Sequence, residues 1–138
     1  MSGEAPAPNT FPIAITATLS VRNGARAVDF YKEAFGAIEE YRVDADDGAV
    51  VARLALSGAA FWVADESPEQ LNFSPETLGG CSVRMLLIVE DPEAVCRQAV
   101  AAGARQVSPV VDEYGWRLGR IIDPFGHHWE IARELSRS

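Results

Sequence analysis

The chain has 138 residues, 48% of them apolar and 23% charged, the balance of an ordinary globular domain. Twelve Lys and Arg stand against twenty Asp and Glu, a formal net charge of −8, which argues against nucleic acid or an anionic membrane as partner, since both are gripped through basic side chains. Two cysteines, Cys81 and Cys96, without a CxxC pair exclude a zinc knuckle or disulfide framework, and no apolar run approaches the ~18 residues of a membrane span.

Residues 1–12 read as a Pro/Ala-rich flexible arm, with no basic-then-apolar leader, so a cytoplasmic location is expected. From Ile13 the pattern changes. Ile13, Ile15, Ala17, Leu19 and Val21 alternate with Ala14, Thr16, Thr18 and Ser20, the period of two that marks a strand. The small, hydroxyl-bearing side suits a cavity lining. Asn23 then caps a predicted helix whose apolar stripe is Ala27, Val28, Phe30, Tyr31, Ala34 and Phe35, ended by Gly36. Strands are predicted near 38–43, 49–56 and 59–64, separated by the acidic turn 44–48 and by Ser57-Gly58.

The order then repeats. Ser82, Arg84, Leu86 and Ile88 alternate with Val83, Met85, Leu87 and Val89. Asp91-Pro92 opens a second helix, Cys96 falls on its apolar face, and Gly103 ends it. Strands fit 106–111, 117–123 and 128–132, with Pro124-Phe125-Gly126 as the last turn. Trp62 stands 26 residues after Gly36, and Trp129 stands 26 after Gly103. Counting from these glycines overlays the two tryptophans. The expected organisation is an α+β fold of two tandem βαβββ modules, each an incomplete mixed sheet forming a half-cup with its helix on the outer face. The expected boundaries are a first module at 13–66, a connector at 67–80, a second module at 81–134 and a tail at 135–138.

These stretches resemble one known group. VRNGARAVDFYKEAFGA at 22–37, FWVADE at 61–66, SPETLGG at 74–80, IVEDPEAVCRQAVAAGA at 88–104 and GRIIDPFGHHWEIA at 119–132 are similar to the glyoxalase, bleomycin-resistance and extradiol-dioxygenase superfamily, the vicinal oxygen chelate proteins. The resemblance implies metal ligands from the first and fourth strands of each module, where a divalent ion acts as a Lewis acid on two substrate oxygens. Carried over with the tryptophans overlaid, those positions are Thr16, Val63, Arg84 and Glu130. Of these, Glu130 alone is a good ligand. Valine has no donor atom, and arginine is permanently cationic. No metal and no other cofactor is therefore expected. His127 and His128, beside the last turn, are expected to make turn-end hydrogen bonds.

Arg84 and Glu130 belong to strands that neighbour each other in the superfamily, so they are expected within ion-pair reach. One reading makes the guanidinium the substitute for the metal, holding a carboxylate or enolate-like oxygen. The other is a structural ion pair in a vestigial site. Thr16, Thr18, Phe61 and Val63 are expected to line the first cup, Leu86 to share the face of Arg84, and Trp116 to lie at a cavity rim or dimer interface. Trp62 and Trp129 are expected to pack against the helices.

Two functions follow. The first is a small-molecule binder working without the usual divalent metal, acting as a homodimer, with a net charge that suits a cationic ligand. The second is a lyase, isomerase or dioxygenase-type enzyme with Glu130 as base and Arg84, or a metal, stabilising an oxyanion.

Overall fold

A computed structural model describes residues 11–136. Most of the arm expected at 1–12, and the last two residues of the tail, lie outside the described residues. The element order is β1 (Thr18–Val21), α1 (Gly24–Phe35), β2 (Ile38–Asp44), β3 (Val50–Leu56), β4 (Ala59–Asp65), α2 (Pro75–Leu78), β5 (Arg84–Ile88), α3 (Pro92–Ala102), β6 (Arg105–Glu113), β7 (Trp116–Ile122) and β8 (His128–Glu134). The connector also holds a 3-10 turn at Pro68–Gln70. The strands form two open four-stranded sheets, ordered β1-β4-β3-β2 and β5-β8-β7-β6. In each sheet the first and fourth strands of the module run parallel. The chain is thus two half-cup βαβββ modules.

Local chemistry fixes the element ends. The Asn23 side chain accepts from the Arg26 amide, and the Asp91 side chain accepts from the Ala94 amide, each satisfying a donor that the helix itself leaves open. Gly36 ends α1 in the left-handed region at φ 73°, where any Cβ would be strained. The first strand is shorter than the alternation predicts. Ile13 and Ile15 are both 98% exposed, because β4, the one neighbour of β1, begins at Ala59 and the parallel register of Thr18 with Trp62 runs out there. The Thr16 hydroxyl donates to the Ala60 carbonyl at 3.3 Å, and the Trp62 amide donates to the Ala17 carbonyl at 2.8 Å. Residues before them have nothing to pack on.

The helix-covered faces of the two sheets meet in one core. Phe61 on β4 and Trp129 on β8 are buried, with ring centroids 5.3 Å apart. Tyr31 and Phe35 of α1 pack on Trp129 at 5.5 and 4.8 Å, and Phe30 meets Phe125 at 6.1 Å. The buried Asp123 carboxylate ties this junction. It accepts from the Tyr31 hydroxyl and, at 2.9 Å, from Trp129 Nε1. Its other oxygen accepts the amides of Phe125 at 2.9 Å and His127 at 3.0 Å. Burial, and then the neighbouring Asp123 charge, push the Tyr31 hydroxyl pKa well above its ordinary value. Cys96 is buried in the same core, and Cys81 is exposed. No described helix is long and apolar enough to cross a membrane.

Candidate functional site

Because the helices and the shared core cover one face of each sheet, the other face of each is left open. Strand pairing gives its composition rung by rung. In module two, Arg84, His128, Ile122 and Arg105 lie in one row across β5, β8, β7 and β6, and Leu86, Glu130, Arg120 and Ser108 form the next. Ile88, Ala132, Leu118 and Val111 follow. Glu134, Trp116 and Glu113 close the far end.

Arg84 and Glu130 meet as expected. Arg84 Nε donates to Glu130 Oε1 at 3.0 Å. A second guanidinium, which the sequence reading missed, stands beside them: Arg120 Nη2 donates to Glu130 Oε2 at 3.4 Å. Counting outward from the turn at 124–126 pairs Arg120 with Glu130, so the signal was present in the hairpin. Burial pushes the Glu130 carboxyl up. Hydrogen bonds and charge from Arg84 and Arg120 outweigh that and hold it below its ordinary 4.5. A carboxylate held so firmly in its charged form is a weak proton acceptor at neutral pH.

The histidines divide. His127 makes the turn-end bond through its amide, and its Nε2 also lies 2.9 Å from the Ser20 carbonyl of module one. The hydrogen bond expected of His128 is not there: its Nδ1 is enclosed and has no hydrogen-bond partner among the described residues. Its row neighbours are Arg84 and Ile122: Arg84 turns its Nε to Glu130 instead, and the isoleucine has no polar atom. Burial, then Arg120, hold its imidazole below its ordinary 6.5, with Arg105 adding to the fall and Asp123 opposing it.

In module one the rows are Thr16 beside Ala60, with Ala55 and Ile38; then Thr18, Trp62, Arg53 and Tyr41; then Ser20, Ala64, Val51 and Val43. Thr16 and Thr18 therefore lie on the open face. Phe61 and Val63 do not. They are 4% and 0% exposed and point into the core, while Trp62 is half-buried on the open face, 5.7 Å from Tyr41. This corrects the sequence overlay by one residue. The matched rows align Phe61 with Trp129 and Trp62 with Glu130. Counted from the strand-ending valines, Phe61 stands 40 residues after Val21 and Trp129 stands 40 after Val89. The glycine count failed because α1 has twelve residues and α3 has eleven.

The positions at which the superfamily places ligands thus hold Thr16, Trp62, Arg84 and Glu130. The donor set does not fit a divalent ion: an indole replaces a valine, and the guanidinium remains. No group of three or more His, Cys, Asp or Glu side chains among the described residues has the geometry to hold a metal.

Leu86 and Trp116 also lie on the open face of module two, with Leu86 54% exposed and Trp116 half-buried. A groove of about 590 Å³ runs along the free edge of β5 between Phe35, Leu56, Leu86 and Ile88. It includes neither Arg84 nor Glu130, so it is distinct from the charged cluster. The open faces themselves are broad and unroofed.

A model of the glyoxalase-like domain matches residues 16–132. The uncharacterized protein Rv0887c of Mycobacterium tuberculosis is 37% identical, over 96% of this chain and 81% of its own length. The X-ray structure of the Arabidopsis thaliana gene product At5g48480 superposes with a TM-score of 0.64 at 33% identity, covering 88% of this chain and 97% of that one. TioX from Micromonospora sp. ML1 superposes with a TM-score of 0.67 at 26% identity, covering 91% and 99%.

Proposed function

Since the chain belongs to the glyoxalase-like domain family, we propose that it binds a small organic molecule on the open face of module two, with the Arg84–Glu130–Arg120 cluster in place of the usual divalent metal. The observation that carries this reading is the cluster itself. Three charged side chains from three strands converge where the superfamily places ligands, at 3.0 and 3.4 Å. Only one of the three has a lone pair to offer. The guanidiniums are fixed positive charges that need no ion.

The binder is favoured over the enzyme because Glu130 spends both oxygens on arginines and has a lowered pKa. A general base works best with a pKa near the working pH. The alternative, a lyase, isomerase or dioxygenase-type reaction, requires Glu130 to leave at least one of them.

A homodimer completes the proposal. Ile38, Tyr41, Val43 and Val51 on one open face, and Leu86, Ile88 and Val111 on the other, are each between 41% and 67% exposed. Exposed apolar area of this extent marks an interaction surface. Within one chain the two open faces are held on opposite sides of the shared core, so neither roofs the other. A second copy supplies the missing wall.

Native mass spectrometry of the purified protein tests this reading. The expected species is twice the chain mass and carries a small organic adduct, or takes one up from a metabolite pool, in the wild type and not in Arg120→Glu. A monomer that retains no adduct from any pool contradicts it.

A further inference from the structure

The chemistry of the module-two face narrows the ligand class; this step rests on the binding reading above. At one end stand three guanidiniums, Arg84, Arg105 and Arg120, against one carboxylate, Glu130. Arg105 makes no ion pair among the described residues and is exposed. The end is therefore positive in a chain whose formal charge is −8. The neighbouring His128, neutral or cationic, adds no negative charge.

The middle of the face is apolar: Leu86, Ile88, Val111 and Leu118. Arg120, Leu118 and Trp116 alternate along β7 and point the same way. Four residues of strand separate Arg120 from Trp116, roughly 13 Å at ~3.3 Å per residue. The far end carries Glu113 beside Trp116, and a second negative charge there meets repulsion.

We propose that this face takes a monoanion with a flat apolar body, its carboxylate or sulfonate seated among Arg84, Arg105 and Arg120 and its rings lying over Leu118 toward Trp116. This reverses the expectation of a cationic ligand drawn from net charge. Net charge governs long-range approach, whereas the side chains within a few ångströms govern what is held.

Three isosteric probes test the proposal: 2-naphthoate, 2-naphthamide and 2-naphthylmethylammonium, titrated into the full chain while side-chain and amide NMR shifts are followed. Naphthoate is expected to bind at least tenfold more tightly than either of the others and to move the Trp116 indole and Leu118 methyl signals. Arg105→Gln, which breaks no ion pair, is expected to weaken naphthoate severalfold and leave naphthamide unchanged. Glu130→Gln frees two guanidiniums and is expected to tighten naphthoate. Equal binding of naphthamide or the ammonium at Trp116, or naphthoate binding unmoved by Arg105→Gln and Arg120→Gln alike, overturns the anion preference while leaving the small-molecule site in place. No probe moving Trp116 or Leu118 at all overturns both.

Discussion

The two modules share one backbone plan and differ in what they present to the outside. Module one shows hydroxyls, aromatics and aliphatics, namely Thr16, Thr18, Trp62, Tyr41, Ile38, Val43 and Val51, with Arg53 neutralised by Glu40. Module two shows Arg84, Arg105 and Arg120 around Glu130, then aliphatic side chains and Trp116. Their covered faces are far more alike, and both feed one core through Phe61 and Trp129. The lesson is that in this fold burial constrains one face of each sheet. The other face is free to carry function, and here the duplicated halves have diverged on it.

The sharpest way to break this comparison is to exchange faces by truncation. Phe61→Ala and Trp129→Ala are each expected to cost about 3–5 kcal/mol in denaturant unfolding, as large aromatic truncations in a core do. Trp62→Ala, on the open face, is expected to cost about 1 kcal/mol, mostly its contact with Tyr41. Were Trp62 the core residue and Phe61 the cavity lining, the order would reverse.

The junction that both faces depend on comes next. Asp123→Ala leaves the Tyr31 hydroxyl, Trp129 Nε1 and two amides without an acceptor, and a loss of at least about 3 kcal/mol is expected. Tyr31→Phe removes one donor and is expected to cost about 1–2 kcal/mol. Equal, small losses from both would show that the carboxylate is not the hub.

A smaller effect is expected from the charged cluster. Arg84 is 56% exposed, so Arg84→Gln is expected to change stability by less than about 1 kcal/mol. Since the Glu130 pKa is lowered in the folded chain, its contribution is present above its unfolded pKa near 4.5 and is lost as the pH falls through the folded value. Acid unfolding curves of wild type and Glu130→Gln should therefore converge only below pH 4.5.

The smallest and most local readout is His128. Its lowered pKa means that the unfolded chain takes up a proton first, so stability falls as the pH drops below 6.5. An NMR titration should give a midpoint under 6.5. A bound anion among the arginines should raise it, and a midpoint above 6.5 without ligand would contradict a positive face.

Much of the fold was legible because its punctuation is chemical. Asn23, Gly36, Asp91 and Gly103 mark the helix ends within a residue, alternation located the first strand of each module, and the turns bounded the other six. The register between modules was not legible from one count. Module one has a five-residue first turn, 45–49, and a two-residue second turn, 57–58; module two has a two-residue turn at 114–115 and a five-residue loop at 123–127. These differences cancel, and the one-residue difference between α1 and α3 remains, so an overlay off by one residue looks convincing. In a strand that error exchanges the two faces, which is why Phe61 and Val63 were expected on the cup and Trp62 in the core. The Arg84–Glu130 pair was legible because both strands were placed correctly. Arg105 and Arg120 were not legible from the superfamily's ligand positions, which lie on the first and fourth strands, although hairpin pairing carries the second and third strands to the same face.

Elemental analysis of the protein, purified without chelators, bears most directly on the claim that guanidiniums stand in for an ion. The account predicts zinc, nickel, iron and manganese each far below one ion per chain, in the wild type and in Glu130→Gln alike. One equivalent of any of them, lost on replacing Glu130, would contradict it.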